Sequence, residues 1–98
     1  MRDMVEQGEI LEIEGLTMPA LVVSKNLFNE SGKAIVCPII EGSTSVTLSF
    51  PIDDGRYVLC DSIRLLDIES RGYTQKGRIP LAQIIQITDR IQSIFDYI

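Results

Sequence analysis

The sequence has no histidine, and its two cysteines, Cys37 and Cys60, show no CxxC spacing. A zinc site therefore has no ligand set to draw on, and the thiols, each inside an apolar run, read as buried and free. Basic charge is scarce: nine Lys and Arg against fourteen Asp and Glu leave a net charge of −5. Proteins that grip nucleic acid through its phosphates usually show the opposite balance, which weighs against strong nonspecific DNA binding. Long hydrophobic runs are missing as well. The longest, Ala34 to Ile40, has seven residues, and the opening MRDMVEQGEI has no apolar h-region. A membrane span is therefore not expected, and the cytoplasm is the expected location. No repeat and no linker breaks the chain, so residues 1–98 read as a single domain.

What is present describes an ordinary folded protein. A hydrophobic fraction of 45% with 23% charged residues sets disorder aside. A chain this short buries only roughly 60–70% of its unfolded surface on folding, so partner chains are expected to supply part of the stability.

The stretch Tyr57 to Asp67, YVLCDSIRLLD, draws attention first. Its apolar run Tyr57–Cys60, preceded by the turn formers Asp53, Asp54 and Gly55, predicts a central strand buried on both faces. Asp61, Ser62, Arg64 and Asp67 follow it directly. A carboxylate and a guanidinium at a strand end serve either as a structural ion pair or as chemistry.

Elsewhere the periodicities are clear. Gly8–Glu14 alternates around Leu11 and Ile13, a half-exposed strand, and Ala20–Val23 is its hairpin partner. Ser24–Gly32 predicts a loop or one helical turn with Leu27 and Phe28 dipping into the core. Ala34–Ile40 is a third strand in which Pro38 belongs at an end, a bulge or an edge. Val46, Leu48 and Phe50 alternate in a fourth strand that ends at Pro51. The polar stretch Glu69–Arg78, with its two glycines, predicts a loop that holds one short strand or turn. Its cations, with Arg64, form either a solvated loop or a binding face. Pro80 opens an amphipathic helix over the last nineteen residues, with Leu81, Ile84, Ile87, Ile91, Ile94 and Ile98 in its stripe and Ile85 and Phe95 widening it. The fold expected is mainly β with a C-terminal α-helix, a small curved barrel-like sheet.

Several stretches, in order, resemble the MazF/PemK family of bacterial toxin–antitoxin systems. GEILEI at Gly8 is similar to its G-[DE]-[IV] opening, PALVVS at Pro19 to its RPALVVS, and Asn26–Asn29 to its N-x-x-F-N. Val36-Cys37-Pro38-Ile39 resembles its V-x-P-[IV]-[TS], and the run from Cys60 to Asp67 its D-Q-[IP]-R-x-[IL]-D. The resemblance implies an SH3-like barrel of about five to seven strands, commonly a homodimer, with an antitoxin as partner and DNA contacted through the antitoxin complex. It also implies cleavage of single-stranded RNA without a metal or other cofactor, using the substrate's 2′-hydroxyl as nucleophile. That reaction needs a base, charge stabilisation at phosphorus and an acid for the leaving oxygen.

On this resemblance Asp61 and Arg64 are the candidate catalytic residues, and Thr17, Ser43, Thr44 and Arg78 the candidates for holding substrate, with Thr47 and Arg56 in reach. Two family positions are altered: the arginine before the PALVVS proline is Met18, and the threonine or serine after Pro-Ile is Ile40. Leu59 stands where some relatives carry a further arginine. The expectation divides between an RNA-cleaving toxin with a rearranged site and a catalytically silent protein that engages an antitoxin. A third possibility, a gyrase-directed C-terminus, rests on the final Asp96-Tyr97-Ile98, which lacks the glycine of the relative that acts so.

Overall fold

The computed structural model describes residues 4–42 and 48–95. The chain runs β1 (Glu9–Ile13), β2 (Ala20–Val22), α1 (Asn26–Asn29), β3 (Lys33–Glu41), β4 (Ser49–Asp53), β5 (Arg56–Leu59), β6 (Arg64–Asp67), β7 (Tyr73–Arg78) and α2 (Leu81–Ser93). The seven strands form one sheet in the order β4-β5-β3-β2-β1-β7, with β6 also on β3. All pairings are antiparallel. The mainly β architecture with a C-terminal helix is the expected one.

The central strand is β3, which corrects the expectation for Tyr57–Cys60. One edge of β3 takes β2, while the other takes β6 along its first half (Val36 opposite Arg64) and β5 along its second (Ile39 opposite Val58). In the Tyr57–Cys60 run only Val58 and Cys60 are buried; Tyr57 and Leu59 point to the other face and are half-exposed. The apolar run therefore alternates, and α2 covers only one of its faces.

Pro38 lies inside β3 without cost. The Ile39 N–H donates to Pro19 O on the β2 side at 2.9 Å, so alternation aims position 38 at the opposite edge. There β3 changes partner from β6 to β5, and no ladder bond is lost.

β1 is more buried than its alternation predicts. Ile10 packs with Leu21, Ile39, Val58 and Ile87 under α2, whereas Leu11 and Ile13 join Val22, Val36 and Leu66 on the other face. Curvature of the sheet encloses both faces, leaving Glu12 alone exposed within the strand. Even Glu9 is fully buried: its carboxylate accepts the Glu6 N–H at 2.7 Å and lies 3.6 Å from Arg78 Nη2. A buried carboxylate needs such partners to remain in the fold.

Three further expectations change. Leu27 and Phe28 are exposed, and Asn29 is the buried residue of α1. Its amide donates to Ser24 O at 3.0 Å and to Val5 O, and accepts from the Ser24 hydroxyl, so polar bonding rather than apolar burial anchors the turn. The Glu69–Arg78 stretch holds a full strand, β7, whose polar side chains belong to a sheet edge. In α2, Ile84 and Ile87 are buried and Ile91 is half-buried, but Leu81, Ile85, Ile94 and Phe95 are exposed.

The helix contacts the sheet along a narrower line than its stripe suggests. Its polar residues complete the contact: Arg90 donates to Ser49 O at 3.0 Å and stacks 4.7 Å from the Phe50 ring centre. Pro80 is the residue before the helix, with ψ 156°, rather than part of its first turn. β4 begins at Ser49 and runs through Pro51, which an edge strand tolerates. Val46, Ser43, Thr44, Thr47 and Asp96–Ile98 lie outside the described residues.

Candidate functional site

Three segments converge on one cavity of about 280 Å³. The β1–β2 connection and the start of β2 give one wall, Leu16 to Ala20. Val36 and Pro38 of β3 form the floor, and Leu59, Ser62 and Arg64 of the β5–β6 segment close the far side. Strand alternation explains the floor: Pro38 and Leu59 turn towards the cavity because Cys37 and Cys60 beside them turn into the core under α2.

The lining is mostly apolar. Its polar groups are the hydroxyls of Thr17 and Ser62 and the guanidinium of Arg64, the one charged residue lining it. A second cavity of about 490 Å³ lies across the β1–β2 connection, sharing Leu16 to Pro19. Its polar residues include Glu12, Glu14, Tyr73 and Thr74, so the ridge at Met18 separates a singly cationic hollow from an acidic one.

The structure brings together part of the predicted site. Arg64 and Thr17 line the first cavity. Asp61 is exposed in the turn after β5, next to Ser62, and does not line the cavity. Arg78 lines neither cavity; its guanidinium is taken by Glu6 and by the buried Glu9. Arg56 is held by Asp53, with Nη2 2.7 Å from Oδ2, and this bonding keeps the Asp53 carboxyl below its ordinary range. Lys76 sits 3.9 Å from Glu12 on the outer edge of the sheet. Ser43 and Thr44 fall outside the described residues.

Met18, 43% exposed, lines both cavities, so the family's arginine position faces the expected hollow with a thioether. Leu59 lines the first cavity too, whereas Ile40 pairs with Tyr57 and lines neither. Ser62 is the site residue that sequence reasoning left out of the candidates; its signal was its place between Asp61 and Arg64 in the strand-end segment.

Chemically, this hollow can hold an anionic or hydrogen-bonding group against Arg64, Thr17 and Ser62 and an apolar group against Leu59, Pro38 and Val36. Among the described residues lining it there is no carboxylate, imidazole or amine to take a proton. Among the described residues, no group of three or more Cys, Asp or Glu side chains is placed to hold a metal ion. No described helix is long and apolar enough to cross a membrane.

Comparison with known proteins gives this geometry a context. The chain matches the family model described as PemK-like, MazF-like toxin of type II toxin–antitoxin system over residues 7–95. Its fold is similar to that of a MazE–MazF complex from Deinococcus radiodurans, with 22% identity, a TM-score of 0.83 and coverage of 93% of this chain and 95% of that one. MazF alone from the same organism gives 21% identity and a TM-score of 0.77, covering 93% and 96%. A Mycobacterial endoribonuclease in complex with its cognate antitoxin gives 17% identity and a TM-score of 0.77, covering 91% and 92%. No curated protein matches the chain significantly. With the family model spanning both walls of the cavity and the whole sheet, the chain belongs to the PemK-like, MazF-like toxins of type II toxin–antitoxin systems.

Proposed function

We propose that this chain is a toxin-side component of a type II system that acts by engaging an antitoxin, and that its cavity binds without efficient RNA cleavage. The observation that carries the reading is the lining of the cavity, where Met18 and Leu59 stand in place of family arginines and Arg64 is the one charge. Removing one preorganised charge stabiliser typically costs on the order of a hundredfold to a thousandfold in rate. With the family hydroxyl replaced by Ile40 as well, losses at three positions leave little of the reaction.

The partner follows from the family and from solved relatives that are bound to antitoxins. In this reading the chain is a homodimer, and it reaches operator DNA only through the antitoxin, as its net charge of −5 favours. Titrating the purified chain with the product of the adjacent gene tests it. A saturable complex of fixed stoichiometry is expected, and no binding at micromolar concentrations overturns the reading.

The second reading, RNA cleavage rebuilt on Asp61 and Arg64, is favoured by the placement of Arg64 on the cavity wall. It requires Asp61, exposed outside the lining, to serve as the base. Product analysis on RNA separates the two readings.

A further inference from the structure

The two cysteines of the chain stand 23 positions apart in sequence and share one buried cluster. Both are fully buried in the cluster beneath α2, in company with Ile39, Val58 and Ile87. Ile39 lies opposite Val58 in the last pair of the β3–β5 ladder; carrying the same register two residues further, past the end of β5 at Leu59, sets Cys37 opposite Cys60. The side-chain directions agree with this continuation: Pro38 and Leu59 line the cavity, while Cys37 and Cys60 belong to the core.

The pair is of the non-hydrogen-bonded kind. Ile39 gives its N–H to Pro19 on the β2 side, and Cys37 has the same parity in the strand. Opposed residues of that kind have Cα atoms about 4.5 Å apart, inside the range of roughly 4.4–6.8 Å that a disulfide spans.

We infer that Cys37 and Cys60 form a cross-strand thiol pair that a hydroperoxide converts to a disulfide, tying β3 to the start of the β5–β6 connection that holds Asp61 and Ser62 and leads into Arg64. The Cys60 thiolate attacks the peroxide oxygen, giving a sulfenic acid and releasing hydroxide or alkoxide. The Cys37 thiol then displaces the sulfenic oxygen as water, so two thiols lose two electrons and the peroxide gains them.

The order of attack follows from the surroundings. Burial pushes Cys37 up to about 12. Cys60 is also raised, by burial and by Asp61, with the positive charge of Arg90 offsetting part of the rise. Cys60 is also the first residue of the turn, held there by its N–H on Leu48 O at 3.1 Å. Opening of that turn, a smaller event than opening the sheet, exposes it to the oxidant. The new bond would lie directly behind Pro38 and Leu59, the cavity's floor and far wall.

The test is peroxide treatment of the folded full chain, followed by catalase, alkylation in denaturant and tryptic mapping. Cleavage after Lys33, Arg56 and Arg64 places the cysteines in separate peptides, Ala34–Arg56 and Tyr57–Arg64. The expected product is an intramolecular link between those peptides that dithiothreitol reverses, with the thermal midpoint of the oxidised monomer raised by on the order of 10 °C. In Cys37→Ser, dimedone should trap a sulfenic acid on Cys60; in Cys60→Ser, Cys37 should stay unmodified. Two thiols that remain fully alkylatable at peroxide levels that oxidise the urea-unfolded chain would overturn the inference. Linked dimers only, or a lowered midpoint on linkage, would overturn it equally, and neither depends on the serine variants folding.

Discussion

Cys37 shows how a single side chain can set a pH limit on this fold. Its thiol, ordinarily at 9.0, is pushed up to about 12 by burial, with Cys60 and Asp61 adding to the shift. Below pH 9 the thiol is protonated in both folded and unfolded chains, and its burial stabilises fully. Between pH 9 and about 12 only the unfolded chain ionises, so this stability is progressively lost as pH rises. Urea denaturation from pH 8 to 11 should show a decline that is much shallower in Cys37→Ala, whose own cavity cost is independent of pH. Equal slopes would count against the burial of this thiol.

Asn29 makes the same point with hydrogen bonds. Replacing it with Ala would strand the Ser24 hydroxyl and two carbonyls, at a cost of about 2–3 kcal/mol. Leu27→Ala, two positions away at 69% exposure, should change stability by less than about 0.5 kcal/mol. Chemical denaturation of both variants checks the contrast. Sequence reading reversed these two roles, because hydropathy ranks Leu above Asn and cannot see a helical turn anchored by Ser24. Glu9 was invisible for a related reason: its partner Arg78 is 69 positions away and joins it only through the β1–β7 pairing.

At the scale of elements, strands with strong alternation and β-branched content were legible, and β1, β2 and β3 lie within a residue or so of where they were expected. What was not legible was which strand is central. β3 gains that position by pairing with three neighbours, β2, β5 and β6, and such pairing leaves no mark in local composition. β7 escaped because an edge strand with one exposed side tolerates Thr, Gln and Lys.

The helix stripe was readable in period but not in width. Ile87→Ala should cost about 2–5 kcal/mol, because the residue is fully buried between α2 and the sheet. Leu81→Ala, at 68% exposure, should be near neutral. If the two variants were equally destabilised, the helix would sit in a different rotation on the sheet.

For the whole molecule, the family fold is retained. The apolar positions that build a curved sheet with a core on each face are retained, and they account for the family match over residues 7–95. At positions where the resemblance leads one to expect charge for a phosphate stand Met18 and Leu59, both lining the hollow, and among the described residues Arg64 is the one charged residue that lines it. The motif order made the fold legible in the sequence. Of the candidate site residues, Thr17 and Arg64 share the cavity. What local sequence does not reveal is that Arg78 is held by Glu6 and Glu9, and that Asp61, exposed beside Ser62, does not itself line the cavity.

The central claim is that this chain keeps the toxin fold without efficient cleavage. Its most direct test is incubation of antitoxin-free protein with a long single-stranded RNA in EDTA, beside Asp61→Ala and Arg64→Ala, with analysis of the product ends. The account predicts intact RNA at stoichiometric protein in all three. Multiple-turnover cleavage by the unmodified chain, leaving cyclic phosphates and lost in both variants, would contradict it and place the chemistry on Asp61 and Arg64.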